Sequence, residues 1–209
     1  EKYICITRPR RFGKTINAQM LATYYTKGYD SHKIFDSLLI SKEGTYKKHL
    51  NHYNVIYIDF TKLLTRMNTY EEFENRFIEK LVDDLCENYP ILKRNSKYTL
   101  SDYFTQSLSS FVFIMDEWDA IFQMDFMDDV SRKKFLILLK DLLKDNSYVE
   151  LAYMTGVLPI AKYSSGSELN MFGEYNFMND TQYSDYFGFT REEVKGLCKK
   201  YNMSFEEIS

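Results

Sequence analysis

Residues that interrupt regular structure are scarce in this chain, which has only eight glycines and three prolines among 209 residues. Such a composition favours a domain of helices and strands over one dominated by loops. Cysteine is equally rare, and Cys5, Cys86 and Cys198 lie far apart and form no C-x-x-C pair. This spacing argues against a zinc or disulfide framework, so we expect a reduced protein of the cytoplasm.

Long apolar runs and an excess of one charge are also missing. No stretch approaches the ~18–20 consecutive apolar residues that cross a bilayer, and no signal peptide opens the chain, so we expect no membrane partner. The net charge of -3 is neither the basic balance of a nucleic-acid-binding domain nor acidic enough for a disordered chain. The hydrophobic content of 44% is sufficient for one sizeable core, and the length suggests one domain with at most a small appendage.

Apolar runs typical of strands alternate with helical patterns along the chain. The predicted strands are 3–6, 55–60, 111–115 and 150–154, with a short fifth at 177–178 inside a stretch, 163–186, that otherwise looks irregular. The predicted helices are 16–25, 70–89, 100–108, 131–144 and 191–201. This alternation predicts an α/β fold in which helices sandwich a parallel sheet. Ligands of such folds bind beyond the carboxyl ends of the strands.

The stretch from Arg8 to Thr15 reads R-P-R-R-F-G-K-T and lies between the first predicted strand and the first predicted helix. That order matches a phosphate-binding P-loop, in which the N–H groups and the dipole of a helix N-terminus attract an anion. Gly13 permits a close approach of the backbone, Lys14 can reach the β- and γ-phosphates, and the Thr15 hydroxyl can ligate Mg²⁺. Because Arg8 replaces the usual first glycine, a basic turn ahead of an ordinary helix is the alternative.

A second motif lies about a hundred residues downstream, where the apolar run 111–115 ends in Asp116 and Glu117. In a Walker B strand the first acid holds Mg²⁺, and a following glutamate, ionised at neutral pH, activates water. The alternative is a buried strand with two acids in its following turn. Because the basic loop and this acidic strand occur in the order and spacing of a P-loop ATPase, we favour one shared nucleotide site. Thr155, which ends the next strand, would sense the γ-phosphate or simply end that strand. Asp119 would support Asp116 or cap the helix after it.

Several stretches together resemble the bacterial AAA-ATPase-like family, whose members often carry a nuclease-like C-terminal region. They are T-R-P-R-R-F-G-K-T at 7–15, F-I-M-D-E-W-D at 113–119 and T-G-V-L-P-I-A-K at 155–162, and the stretch 187–194 is similar to the entry into the family's lid helices. The resemblance covers nearly the whole chain, and within it Arg8 looks like the family norm. Trp118 departs from the family, which usually has tyrosine there.

The resemblance implies a P-loop ATPase of the additional-strand, catalytic-glutamate type, with a core at 1–186 and the beginning of a helical lid at 187–209. It implies ATP and Mg²⁺ as cofactors. It assigns catalysis to Glu117, Lys14 and Thr155, and metal binding to Thr15 and Asp116. The residues implied to bind nucleotide are Arg10, Arg11, Phe12, Gly13, Lys14, Thr15 and Ile16. The strand and helix that the family has before this first strand are absent from the chain, as is any nuclease-like region after residue 209, so we expect no nuclease activity from it.

The expected function is slow Mg²⁺-dependent ATP hydrolysis that switches the docking of a neighbouring domain or subunit. An arginine in cis (Arg8, Arg10 or Arg11) or one from a neighbouring subunit would accelerate the reaction. A non-catalytic nucleotide-binding scaffold is the first alternative. The second is a nucleic-acid-binding module that uses the basic loop and the lysines near 47 and 93. Otherwise we expect nucleic acid to bind only through regions absent from this chain.

Overall fold

A computed structural model describes residues 1–164, 168–176, 178 and 182–206 of the chain. Its five strands are β1 (Tyr3–Thr7), β2 (Asn54–Asp59), β3 (Phe111–Asp116), β4 (Val149–Gly156) and β5 (Gly173–Asn176). They form one sheet in the order β2-β3-β4-β1-β5, and every pairing is parallel. The strand β4 therefore lies between β1 and β3, which is the additional strand that the resemblance implies.

The helices are α1 (Lys14–Tyr25), α2 (His32–Phe35), α3 (Tyr46–His49), α4 (Phe60–Leu63), α5 (Tyr70–Asn88), α6 (Leu100–Gln106), α7 (Asp129–Leu143) and α8 (Arg191–Tyr201). Single 3₁₀ turns occupy Leu39–Lys42, Ala120–Gln123, Ile160–Lys162 and Ser184–Tyr186. Local sequence explains several helix starts. Thr69 accepts a hydrogen bond from the N–H of Glu72 at the start of α5, and Thr190 forms a capping box with Glu193 at the start of α8.

The two faces of the sheet are covered by different helices, because side chains alternate along each strand. On one face Phe113 and Met115 belong to the larger core cluster, which includes Phe73 and Phe77 of α5 and Phe135 of α7. On the other face Val112 and Ile114 pack with Ala18 of α1. The predicted parallel sheet sandwiched by helices is confirmed, and its central strand β3 is buried along its whole length.

The fifth strand is not where the sequence predicts it. It lies at Gly173–Asn176, inside the stretch predicted to be irregular, and pairs with β1 at the edge of the sheet. Met178, from the predicted strand 177–178, lies in a turn and is 87% exposed, while Phe177 falls outside the described residues. The strand β5 has only half-buried residues and no apolar run, so its pairing with β1 is a tertiary effect that local sequence does not indicate.

Among the described residues, every helix is too short or too polar to cross a bilayer.

Candidate functional site

The basic loop leaves the carboxyl end of β1 and runs directly into α1. Gly13 is the N-cap of this helix with a φ of 79°, a left-handed conformation that glycine adopts without strain, and no side chain caps the helix there. Arg11 also has a positive φ, of 71°. The loop therefore turns tightly and presents the uncapped N-terminus of a 12-residue helix, which is the arrangement that attracts anions.

Lys14 lies across the loop that it ends. Its Nζ donates hydrogen bonds to the carbonyl oxygens of Arg8 at 3.1 Å and Pro9 at 3.2 Å, and is 3.6 Å from Oε1 of Glu117. The lysine is buried, whereas Thr15 and Ile16 beside it are exposed. The remaining loop positions are open to solvent to different degrees: Arg10 and Arg11 are exposed, and Phe12 and Gly13 are half-buried.

Arg8 does not point toward the mouth of the loop. Its side chain is 2% exposed, and its Nη1 donates to the carbonyl oxygens of Thr7 at 3.0 Å and Tyr175 at 2.9 Å. The guanidinium also lies over the ring of Phe187, 5.2 Å from its centroid. The expectation that Arg8 could face the phosphates in cis is wrong for this arrangement, because the guanidinium joins β1 to β5 and to the segment before α8.

Asp116 ends β3 and is 1% exposed. The Thr155 hydroxyl of β4 donates to its Oδ1 at 2.5 Å, and the Tyr57 hydroxyl of β2 donates to its Oδ2 at 3.4 Å. Both neighbouring strands therefore contribute a donor to this carboxylate. Burial, with the charge of Asp116 as the next cause, raises the pKa of Tyr57 to about 12, so the phenol remains a proton donor at neutral pH.

Glu117 has a left-handed backbone with a φ of 51°, which is uncommon and costly for a residue with a side chain. Its N–H donates to the Thr155 hydroxyl at 3.3 Å, so Thr155 contacts both acids of the motif. Partial burial of the carboxyl raises its pKa, the Lys14 ammonium opposes that shift, and the charges of Asp116 and Asp119 reinforce it. Strained backbone and a perturbed pKa together are typical of functional sites.

The turn after β3 also contains Asp119 and Trp118. Asp119 precedes the following 3₁₀ turn without a capping hydrogen bond from its side chain, and its Oδ2 accepts from the N–H groups of Val157 and Leu158, both at 3.0 Å. It therefore fixes the turn after β4. Trp118 is fully buried and packs against Phe122, so both aromatic side chains belong to the core.

One contact of the site was missed at the level of sequence, and it comes from β2. Tyr57 reaches Asp116 because β2 and β3 pair in parallel, with Asp59 beside Asp116. The sequence indicates part of this contact, because the strand predicted at 55–60 should end at the same edge of the sheet as the strand at 111–115. Which of its residues faces Asp116 depends on the register of two strands far apart in sequence.

The donor set suits Mg²⁺ bound together with phosphate. At phosphate sites this ion takes oxygen ligands and usually only one or two protein groups, and the hydroxyl of Thr15 and the carboxylate of Asp116 are oxygen donors of that type. Within the described residues no group of three or more His, Cys, Asp or Glu could form an all-protein metal cage. The uncapped α1 N-terminus and the cation of Lys14 likewise suit a phosphate chain.

Comparison with protein families assigns the chain. The model of a family described as "Predicted AAA-ATPase" matches residues 1–165. The chain belongs to the AAA-ATPase-like family. The match includes the basic loop, β3 with its two acids, and Thr155, and membership supports nucleotide binding by the chain. A comparison of this AAA-ATPase-like chain with curated proteins finds no match.

Proposed function

We propose that this AAA-ATPase-like domain binds Mg²⁺ and ATP at its P-loop and hydrolyses ATP slowly, as a conformational switch. The observation that carries the proposal is the approach of Lys14 and Glu117 to 3.6 Å at the N-terminus of α1, beside Asp116. These residues come from two motifs about a hundred positions apart. A phosphate-binding cation, a metal-binding acid and a candidate base therefore share one edge of the sheet.

The proposed binding surface is the loop and the first turn of α1: Arg10, Arg11, Phe12, Gly13, Lys14, Thr15 and Ile16. Backbone N–H groups of this turn would hold the phosphate oxygens, and Thr15 and Asp116 would hold Mg²⁺. The bound ion would supply charge neutralisation of the phosphates. Thr155 donates to Asp116 at 2.5 Å, so it orients the metal-binding carboxylate, and its place between both acids suits a sensor of the γ-phosphate.

Glu117 is the proposed general base, which accepts a proton from the attacking water. In the arrangement described here the ammonium of Lys14 lies 3.6 Å from its carboxylate and is held by two loop carbonyls. Lys14 must turn from these partners toward the phosphates when nucleotide binds. That rotation removes the cation from Glu117 and leaves its carboxylate free to take the proton.

Turnover should be slow unless an arginine contacts the transferred phosphoryl group. Arginine contacts to the transferred phosphoryl group contribute about 10³–10⁵ in rate in related reactions. Arg8 is held by Tyr175 and Phe187, so the cis candidates are the exposed Arg10 and Arg11. An arginine from a neighbouring subunit is the other source that we propose.

The switch is proposed from contacts between the loop and the segment before α8. The carbonyl of Phe12 accepts from the N–H of Gly188 at 3.2 Å, and the Asn17 side chain donates to the carbonyl of Tyr186 at 2.8 Å. A loop that reshapes around nucleotide would displace this segment and thereby α8. A neighbouring domain or subunit that docks on α8 would then respond to the nucleotide state.

The decisive test is nucleotide binding with and without Mg²⁺, with ATP, ADP and GTP, on the wild type and on Lys14→Ala. We expect Mg²⁺-dependent ATP binding that the variant weakens by at least about a hundredfold, because it removes a cation at the phosphates. Lys133→Glu, a charge change at an exposed position of α7, is the control and should bind normally. Equal affinity of Lys14→Ala and wild type would refute the P-loop assignment.

A non-catalytic nucleotide-binding scaffold is the second candidate, because the contacts of Lys14 with Glu117 and two loop carbonyls could serve to hold the loop in shape. Glu117→Gln separates the two. If Glu117 is the base, the variant should retain ATP, release no phosphate and accumulate the bound triphosphate. A scaffold would release no phosphate in either form.

A further inference from the structure

One edge of the sheet is open along most of β2. This strand lies at one end of the sheet order. Among the described residues, its outer side is paired only where the strand begins. There the N–H of Tyr53 donates to the carbonyl of Tyr25 and its own carbonyl accepts from Lys27, both at 2.8 Å. Because successive peptide groups point to opposite sides of a strand, Val55 and Tyr57 direct their N–H and C=O groups to this same outer side.

Beside this edge runs a groove of about 600 Å³ between β2 and α5. Its apolar part is formed by side chains of both elements and their neighbours: Ile56, Ile58, Leu63, Phe77, Leu81 and Leu85. An added strand lies ~4.8 Å from its neighbour and directs alternate side chains to each face. The groove therefore offers backbone partners along β2 and an apolar wall for every second side chain of an extended segment.

The rim of the groove carries more positive than negative charge. Lys27, Arg76 and Lys80 are exposed along it, and Asp84 is the exposed acid. The remaining acid, Asp59, is compensated, because Lys62 lies 3.2 Å away and the Thr61 N–H and hydroxyl donate to its carboxylate. An incoming segment thus meets three exposed cations and one exposed carboxylate at this rim, in a chain whose overall net charge is -3.

We propose that the open edge of β2 binds an extended acidic segment of a partner protein as a sixth strand of the sheet. Backbone hydrogen bonds to Val55 and Tyr57 would supply affinity, and the cations of α5 would select acidic sequences. A second copy of this chain is a poorer occupant. Joining two β2 edges would bring two basic rims together, and like charges across an edge are destabilising. The proposal does not rest on nucleotide binding, since no residue of the basic loop at 8–15 lines the groove.

The test uses two fluorescein-labelled peptides, one of alternating valine and glutamate and one of alternating valine and lysine, with anisotropy as the readout. We expect the whole chain to bind the acidic peptide at least about tenfold more tightly. The double variant Arg76→Glu/Lys80→Glu should remove that preference, whereas Lys133→Glu, on α7 and away from the groove, should keep it. Equal binding of both peptides by the wild type, or of neither, overturns the proposal.

Strand addition is tested separately from charge. Val55→Pro removes an N–H that faces the open side, a position where proline is tolerated in an edge strand, and should weaken the acidic peptide at least about tenfold. Val55→Ala is its control and should bind within about twofold of wild type. If Val55→Pro unfolds, an acidic peptide with N-methylated alternate amides replaces it and should fail to bind.

Amide hydrogen exchange at Val55 and Tyr57 gives an independent readout, and exchange there should slow when the acidic peptide binds. Unchanged exchange at both residues in the bound state would place the peptide elsewhere. A self-associating wild type that becomes monomeric on Val55→Pro would assign the edge to a second copy and equally overturn the proposal.

Discussion

Glu117 is the residue of the site at which backbone strain and partial burial of a carboxyl coincide. Its backbone is left-handed, its carboxyl is half removed from water, and its one cationic neighbour, Lys14, is 3.6 Å away. A left-handed residue with a side chain costs roughly 1–2 kcal/mol, and such strain persists only where the surroundings enforce it. Here the Thr155 hydroxyl accepts from the Glu117 N–H, the Glu117 carbonyl accepts from the N–H of Ala120 at 3.0 Å, and the Lys14 ammonium lies beside the carboxylate.

The raised pKa of Glu117 predicts a pH dependence of hydrolysis. A general base acts in its deprotonated form, so the rate should fall about tenfold per pH unit once the pH is below its pKa. Because burial places this pKa above the usual 4.5, the loss should begin at a higher pH than for an ordinary glutamate. The measurement is the turnover rate against pH, with ATP affinity followed in parallel. A rate that stays flat to about pH 4.5 would contradict it.

The same shift has a consequence for stability that needs no activity assay. A carboxyl whose folded-state pKa is raised binds its proton more tightly in the native state. Its stabilising contribution is complete below the unfolded pKa and is lost as the pH rises through the folded pKa. Relative to Glu117→Gln, which does not titrate, the wild type should therefore lose thermal stability as the pH rises from about 4.5 through the raised folded-state pKa of Glu117.

Residues of the site differ in how far sequence could predict them. The approach of Lys14 to Glu117 follows from two local motifs, each of which ends or follows an apolar strand. Arg8 and Tyr57 could not be placed in the same way, because their partners, Tyr175 and Asp116, lie far along the chain. Only the register of the assembled sheet decides which side chains meet there.

At the scale of elements, the four strands with apolar runs were predicted and the fifth was misplaced. A buried strand can be predicted from a continuous apolar run, such as the one in β3. The strand β5 contains only Gly, Glu, Tyr and Asn, and among the described residues it pairs with β1 alone. Its position is set by that partner and by Arg8, which donates to the Tyr175 carbonyl, so no local pattern encodes it.

Arg8 is thus a connector between elements, and replacing it by the glycine usual in P-loops should harm the protein. Arg8→Gly leaves the carbonyls of Thr7 and Tyr175 without this donor and removes the stack on Phe187, and we expect a loss of about 3 kcal/mol in the free energy of unfolding. Arg10→Gly, at an exposed position, is the control and should cost under about 1 kcal/mol. Chemical denaturation measures both, and equal losses would contradict the connector role.

At the scale of the whole molecule, the loop and α8 form a route by which nucleotide could alter a distant surface. The basic loop and the segment before α8 are in close contact. Gly188 has a φ of 81°, and a Cβ built there would lie 3.0 Å from the Phe12 ring. With so little free space at this contact, the proposed switch would pass a movement of the loop to the segment before α8.

This route predicts that amide hydrogen exchange in Arg191–Tyr201 changes severalfold when Mg²⁺ and ATP bind. The change should be absent from Lys14→Ala. Exchange in α6 (Leu100–Gln106), which packs on the other face of the sheet, serves as the internal control and should be unaffected. Nucleotide binding that leaves α8 unchanged would refute the switch and leave the binding site intact.

The order of the strands also governs how this chain can be made. The strand β1 is synthesised before the other four strands of the sheet, yet Ile4 pairs with Tyr153 of β4 and Gly173 of β5. Contacts this distant in sequence form slowly and leave early apolar segments exposed during translation. A nascent chain that stops short of Val149 would already contain the whole basic loop, with both lateral partners of its supporting strand still to be synthesised.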